Sequence, residues 1–124
     1  MKIAIIGTGG IGGYFGGMLA RADFDVNFLA RGEHFAAIKS RGLTIKSINT
    51  EFHLDNVQIF DKIQEIGISD LFILCVKAWQ IKEIRKDLKS IIKNDSVVLP
   101  LQNGVMAVEE LSEVLKKSNI LGGL

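Results

Sequence analysis

The chain has 124 residues, 48% hydrophobic and 23% charged, with a formal net charge of +1. That length suits one domain with a real core, and it is small for a complete two-substrate enzyme. So near-neutral a charge gives no broad electrostatic reason to expect nucleic acid or an anionic membrane as partner, and any phosphate recognition has to come from local geometry.

Short apolar runs alternate with amphipathic stretches, the pattern of parallel strands joined by crossover helices. Ile3-Ala4-Ile5-Ile6 reads as a buried first strand and Ile11–Ala22 as the first helix, tolerant of glycine because something packs closely against it. Val26–Ala30 is the second strand, and Glu33–Ser40 a short second helix with Gly42 as its C-terminal cap. Leu43, Ile45 and Ser47 alternate with Thr44 and Lys46, and Phe52 and Leu54 alternate after Asn49-Thr50, which predicts a β-hairpin. A short helix is expected over Asp61–Ile66 and a strongly buried strand over Leu71–Val76.

From Gln80 to Ile92, apolar Ile81, Ile84, Leu88, Ile91 and Ile92 fall at helical spacing. The charges between them, Glu83 included, read as a solvated face. Val97–Leu99 is a strand ahead of Pro100, Val105–Lys116 a further helix, and Ile120-Leu121 the start of a last strand. The expected fold is therefore α/β: a Rossmann-type, doubly wound, mostly parallel sheet with helices on both faces and a hairpin insertion. The chain stops while the sheet pattern continues, which leads us to expect a fragment.

Lys2 followed by an apolar run superficially matches a secretory signal, but Gly7, Gly9, Gly10, Gly12 and Gly13 break it too early. No run of about 18 apolar residues predicts a spanning helix. The single cysteine, Cys75, lies in an apolar run and reads as a core thiol, in keeping with a reducing cytoplasm. A soluble cytoplasmic protein is expected.

Gly7-Thr8-Gly9-Gly10-Ile11-Gly12 matches G-x-G-x-x-G. Alone the motif is weak; directly after a strand and opening a helix it points to dinucleotide binding. Gly7 permits the turn, Gly9 lets backbone approach the pyrophosphate, and Gly12 lets helix and strand pack closely. The helix N-terminus offers unpaired N–H groups and a positive dipole end to the phosphates. Gly13, Gly16 and Gly17 are expected to serve helix packing.

NAD-binding domains usually place Asp or Glu at the end of the second strand, to accept from the ribose 2′-OH. Here that place holds Ala30-Arg31-Gly32, with no carboxylate until Glu33. Arginine can pair with a 2′-phosphate and stack on adenine, so NADP(H) is the expected cofactor. Lys77 follows a strand end, where it either holds an anion or simply reaches solvent. Asn103-Gly104 also follows a strand; Asn103 can donate through its amide, or the pair can be a plain turn.

Taken together, the glycine loop, Leu29-Ala30-Arg31, Lys77-Ala78-Trp79-Gln80 and Gln102-Asn103-Gly104-Val105 resemble the N-terminal domain of the ketopantoate reductases (2-dehydropantoate 2-reductases). The resemblance covers essentially the whole chain, so residues 1–124 are expected to form one NADP(H)-binding domain. It implies reduction of 2-dehydropantoate, a 2-keto acid, with NADPH on the pantothenate route towards coenzyme A. It also implies residue roles: Gly7, Thr8, Gly9, Gly10, Ile11 and Gly12 at the pyrophosphate, Arg31 at the 2′-phosphate, Lys77 at the cofactor, and Asn103 at cofactor and substrate. Gln80 would assist, and Trp79 would pack.

Family members continue into a helical C-terminal domain that carries the catalytic lysine, and nothing here matches it. No catalytic residue is therefore expected in this chain, and the chain alone is expected to be inactive. His34 and His53 lack metal-ligand spacing with Cys75, and no Ser-His-Asp arrangement is legible. A free-standing NADP(H)-sensing domain and a reductase of another keto acid are the competing readings. An apolar face left without the helical domain would favour self-association.

Overall fold

In the computed structural model, which describes residues 1–76, 78–101 and 120, strands and helices alternate along the chain. Strand β1 (Lys2–Ile6) leads into helix α1 (Gly10–Arg21), then β2 (Asp25–Leu29) and α2 (Gly32–Arg41). A hairpin of β3 (Leu43–Lys46) and β4 (Glu51–Leu54) follows, and then β5 (Gln58–Phe60). The chain continues through α3 (Ile63–Ile66), β6 (Leu71–Leu74), α4 (Ala78–Ile91) and β7 (Val97–Pro100).

Among the described residues five strands form one parallel sheet in the order β5-β2-β1-β6-β7, and the hairpin pairs antiparallel as a separate two-stranded sheet. The chain thus builds outward from β1 through β2 to β5, then crosses back to lay β6 and β7 on β1's other side. The reversal falls between β1 and β6. At such a point the loops leaving two neighbouring strands part to opposite faces and open a crevice.

Because strand side chains alternate, β1 feeds two cores. Ile3 and Ile5 pack with Phe28, Ile38, Leu43 and Ile45 on the side of α1, α2 and the hairpin. Ala4 and Ile6 pack with Ile63, Ile66, Ile84 and Leu88 on the side of α3 and α4. Burial on both faces is why these strands read as continuous apolar runs.

Helix α1 inverts the usual amphipathic arrangement. It buries Gly12, Gly13, Gly16 and Gly17, and exposes Ile11, Tyr14, Phe15 and Met18 on the opposite face. A Cβ on Gly16 would stand 2.4 Å from Phe28 Cε1, and one on Gly17 2.5 Å from Ile45 Cδ1. These two glycines therefore set how closely α1 sits on the sheet and the hairpin. Among the described residues a Cβ on Gly13 would meet only ordinary contacts, at 3.9 Å or more, so their packing does not require it to be glycine.

Several boundaries differ from the pattern-based expectation. Strand β5 has no counterpart in it: three residues at a sheet edge carry too little alternation to stand out, and pairing with β2 is what makes them a strand. The helix expected over Asp61–Ile66 is confined to Ile63–Ile66. Strand β6 ends at Leu74, although the Cys75 N–H still donates to the Ile6 carbonyl at 2.8 Å. Gly42 does cap α2, with φ +79, a conformation glycine adopts without Cβ strain. Ile120 bridges Val98 in parallel, as a further strand would, whereas the helix predicted over Val105–Lys116 and Leu121 lie outside the described residues. Among the described residues no helix is long and apolar enough to cross a membrane.

The far end of the sheet is clipped together by Asp70. Its Oδ2 accepts the Lys2 backbone N–H at 2.8 Å, and its Oδ1 pairs with Lys93 Nζ at 2.6 Å. The hydrogen bond from Lys2, followed by that from Lys93, holds its carboxyl below the ordinary carboxylate range. A depressed folded pKa contributes stability above the ordinary value and loses it as pH falls through the folded one. Asp70→Asn is thus expected to lower the thermal midpoint at neutral pH by a small amount, since the group is partly exposed. The gap from wild type should close on acidification. A gap that stays constant across the acid range would exclude this role.

Candidate functional site

The crevice at the strand-order reversal is a cleft of about 280 Å³. Gly7, Thr8 and Gly9 enter it from the end of β1, and Leu29, Ala30 and Arg31 from the end of β2. Cys75 and Val76 come from the end of β6, and Gln80, Glu83 and Ile84 from α4. His34, on the first turn of α2, completes the wall.

The glycines of the loop have separable reasons to be glycine. Gly7 has φ +99, and a Cβ there would lie 2.9 Å from Val76 Cγ1. A Cβ on Gly12 would stand 2.0 Å from the Gly7 carbonyl oxygen, so helix and turn touch backbone to backbone. Gly9 and Gly10 are different: among the described residues, a Cβ on either would meet nothing within 4 Å. No described residue forbids side chains there, and what their absence leaves is space beside the described residues at the N-terminus of α1. That terminus has no side-chain cap and no acidic residue in its first turn. Its unpaired N–H groups and positive dipole end suit an anion.

Arg31 is the N-cap residue of α2, exposed and with extended backbone, so its guanidinium is not spent on capping the helix. Thr8 is buried; its Oγ1 donates to the Leu29 carbonyl at 2.8 Å, and its own carbonyl accepts from His34 Nε2. Burial pushes the Cys75 thiol up to about 11, so at neutral pH it stays protonated and is a wall of the cleft, not a nucleophile.

Of the residues singled out in the sequence, Gly7, Thr8, Gly9, Arg31 and Gln80 line one cleft, and Gly10, Ile11 and Gly12 follow on the first turn of α1. Ile11 points outward, 57% exposed, so any part it plays at the loop is through its backbone. Lys77, Asn103 and their neighbours Gln102 and Gly104 lie outside the described residues, as does the side chain of Trp79. Two contributors escaped the sequence pattern. Glu83 reads as one more charge on a solvated helix face, and the start of α4 beside the end of β6 is what brings it to the cleft. His34 carries no motif at all, and only the fold of α2 against the glycine loop brings it to Thr8. Among the described residues no group of three or more His, Cys, Asp or Glu is arranged to hold a metal ion.

A turn of open backbone N–H groups, a cation at the neighbouring strand end and a cleft joining them suit an elongated ligand with phosphates at two places. The family model described as ketopantoate reductase PanE/ApbA matches residues 3–124. The chain belongs to the ketopantoate reductase family. It is 37% identical over 99% of its length to 2-dehydropantoate 2-reductase of Nostoc sp.. The crystal structure of 2-dehydropantoate 2-reductase from Geobacter metallireducens superposes with a TM-score of 0.93 at 33% identity, over the whole chain. The ternary structure of D-mandelate dehydrogenase with NADH and anilino(oxo)acetate superposes with a TM-score of 0.89 at 33% identity, over 99% of the chain. The chain spans 38%, 41% and 40% of the lengths of these three proteins.

Proposed function

We propose that residues 1–124 are the cofactor-binding domain of a cytoplasmic, NADPH-dependent reductase acting on 2-dehydropantoate, in pantothenate and coenzyme A synthesis. The observation that carries this reading is that the glycine loop and Arg31 line one cleft at the reversal of strand order. In it, the backbone N–H groups of the Gly7–Gly12 turn hold the pyrophosphate. Arg31 pairs with the 2′-phosphate, and Gln80 supports the ligand from α4. Lys77 is assigned to the cofactor, and Asn103 to cofactor and substrate, on the family resemblance. The bound reduced nicotinamide supplies the hydride for the carbonyl carbon. The chain's own task is to place it and to keep the charged end of the ligand fixed. The proton donor belongs to the family's helical domain.

Titrating the purified chain with NADPH and NADH by calorimetry tests this, with NADPH expected to bind more tightly. Adding 2-dehydropantoate to the NADPH mixture is expected to leave the reduced-nicotinamide absorbance unchanged. Turnover at enzymatic rates by these residues alone would refute the division of labour.

A second reading, NADH as cofactor, is favoured by one observation. Glu83 lines the same cleft as Arg31, and a carboxylate accepts from a 2′-hydroxyl while repelling a 2′-phosphate. One relative, D-mandelate dehydrogenase, has been solved with NADH. Equal or tighter NADH binding in the same titration would establish this alternative.

A further inference from the structure

Thr8, between the two loop glycines, is held from both sides. Its hydroxyl donates to the Leu29 carbonyl, and its carbonyl accepts from His34 Nε2. Leu29 and His34 bracket Arg31 in the chain, so the segment carrying the arginine is fastened at both ends to one residue of the phosphate loop. We propose that His34 is a positioning residue: by bracing Thr8 it fixes the span between the glycine loop and Arg31, and so selects ligands that reach both. This rests on the cofactor reading above, and it assigns a part of the specificity to a residue that need not touch the ligand.

The physical basis is the planarity of the peptide bond. In a trans peptide the carbonyl of Thr8 and the N–H of Gly9 point in opposite directions. Fixing the Thr8 carbonyl on α2 therefore fixes the direction of the Gly9 N–H, away from α2. Thr8 is 3% exposed with the ring in place, and a carbonyl that loses its donor is costly to leave unpaired, so the loop is expected to re-orient to satisfy it. The His34 ring also stands in the wall between two hollows. One is the cleft with Arg31 and Gln80, and the other is a hollow of about 420 Å³ lined by Gly10, Tyr14, Ile45 and Lys46. Releasing the ring would loosen the boundary between them.

A brace that sets a distance matters most to a ligand occupying both ends of it. The test is calorimetric titration of wild type, His34→Leu and His34→Gln with NADPH, with NADH (loop phosphates only) and with 2′-AMP (2′-phosphate only). His34→Leu is expected to weaken NADPH about tenfold, the scale of one lost hydrogen bond, and to weaken NADH and 2′-AMP each by clearly less. His34→Gln, whose amide can donate to the same carbonyl, should recover most of the NADPH affinity. In ligand-free wild type, imidazole nitrogen chemical shifts should show a hydrogen on Nε2. An equal loss for NADPH and 2′-AMP would mean direct contact with the phosphate, and an equal loss for NADPH and NADH a role in the loop alone. Either result overturns the proposal, as do failure of glutamine to rescue and a neutral ring carrying its hydrogen on Nδ1. Wild type binding neither NADPH nor 2′-AMP would instead remove the cofactor reading itself, before any variant is made.

Discussion

Gly12→Ala is expected to cost the protein both stability and cofactor. The new Cβ would lie 2.0 Å from the Gly7 carbonyl oxygen and 3.2 Å from Cys75 Cβ. The first is a clash with backbone, which no rotamer change relieves. Either α1 lifts from the sheet or the turn at Gly7 moves, and overpacking of this kind typically costs about 1–3 kcal/mol. Both movements displace the N–H groups assigned to the pyrophosphate, so NADPH affinity should fall with stability. Gly9→Ala is the informative partner. Its Cβ would meet no atom of the described residues within 4 Å and its φ is −91, so the fold should tolerate it while the space assigned to the ligand is filled. Denaturant unfolding and NADPH titration of both variants separate the two roles. A Gly12→Ala protein as stable as wild type would contradict the packing account. A Gly9→Ala protein with full affinity would contradict the placement of the pyrophosphate.

The second large effect concerns Arg31. A charge-assisted pair with a 2′-phosphate contributes roughly 1.5–3 kcal/mol, so Arg31→Ala should reduce the NADPH-to-NADH affinity ratio about ten- to a hundredfold. Affinity for NADH should change little, because that cofactor lacks the phosphate. Glu83→Gln should move the ratio the other way, since it removes a negative charge from the same cleft. Calorimetry on the two variants measures both shifts. An Arg31→Ala ratio equal to that of wild type would defeat the assignment of the 2′-phosphate to this side chain.

Much of this was legible from residue order because its causes are local. An apolar run buried on both faces, a turn that needs glycine and a helix start after it are all written within about a dozen residues. The core strands β1, β2 and β6, the hairpin and the cap at Gly42 were therefore readable. The motif was readable too, but not the division of labour within it. G-x-G-x-x-G treats its glycines alike, whereas Gly12 is required by a backbone 2.0 Å away and Gly9 by none of the described residues. Strand β5 was hidden because its three residues become a strand only through β2.

Residue order by itself determined the alternation of strand and helix, the glycine-rich turn after β1 that opens a helix, and the presence of an arginine instead of a carboxylate at the end of β2. Sequence distance says nothing about which residues on separate crossovers converge, because that depends on the side of β1 to which each later strand is added. The order β5-β2-β1-β6-β7 decided it: it brought Cys75, Gln80 and Glu83, from β6's end and α4, into the cleft that Arg31 also lines. The packing of α2 against the loop then carried His34 to the carbonyl of Thr8, 26 residues away in the chain.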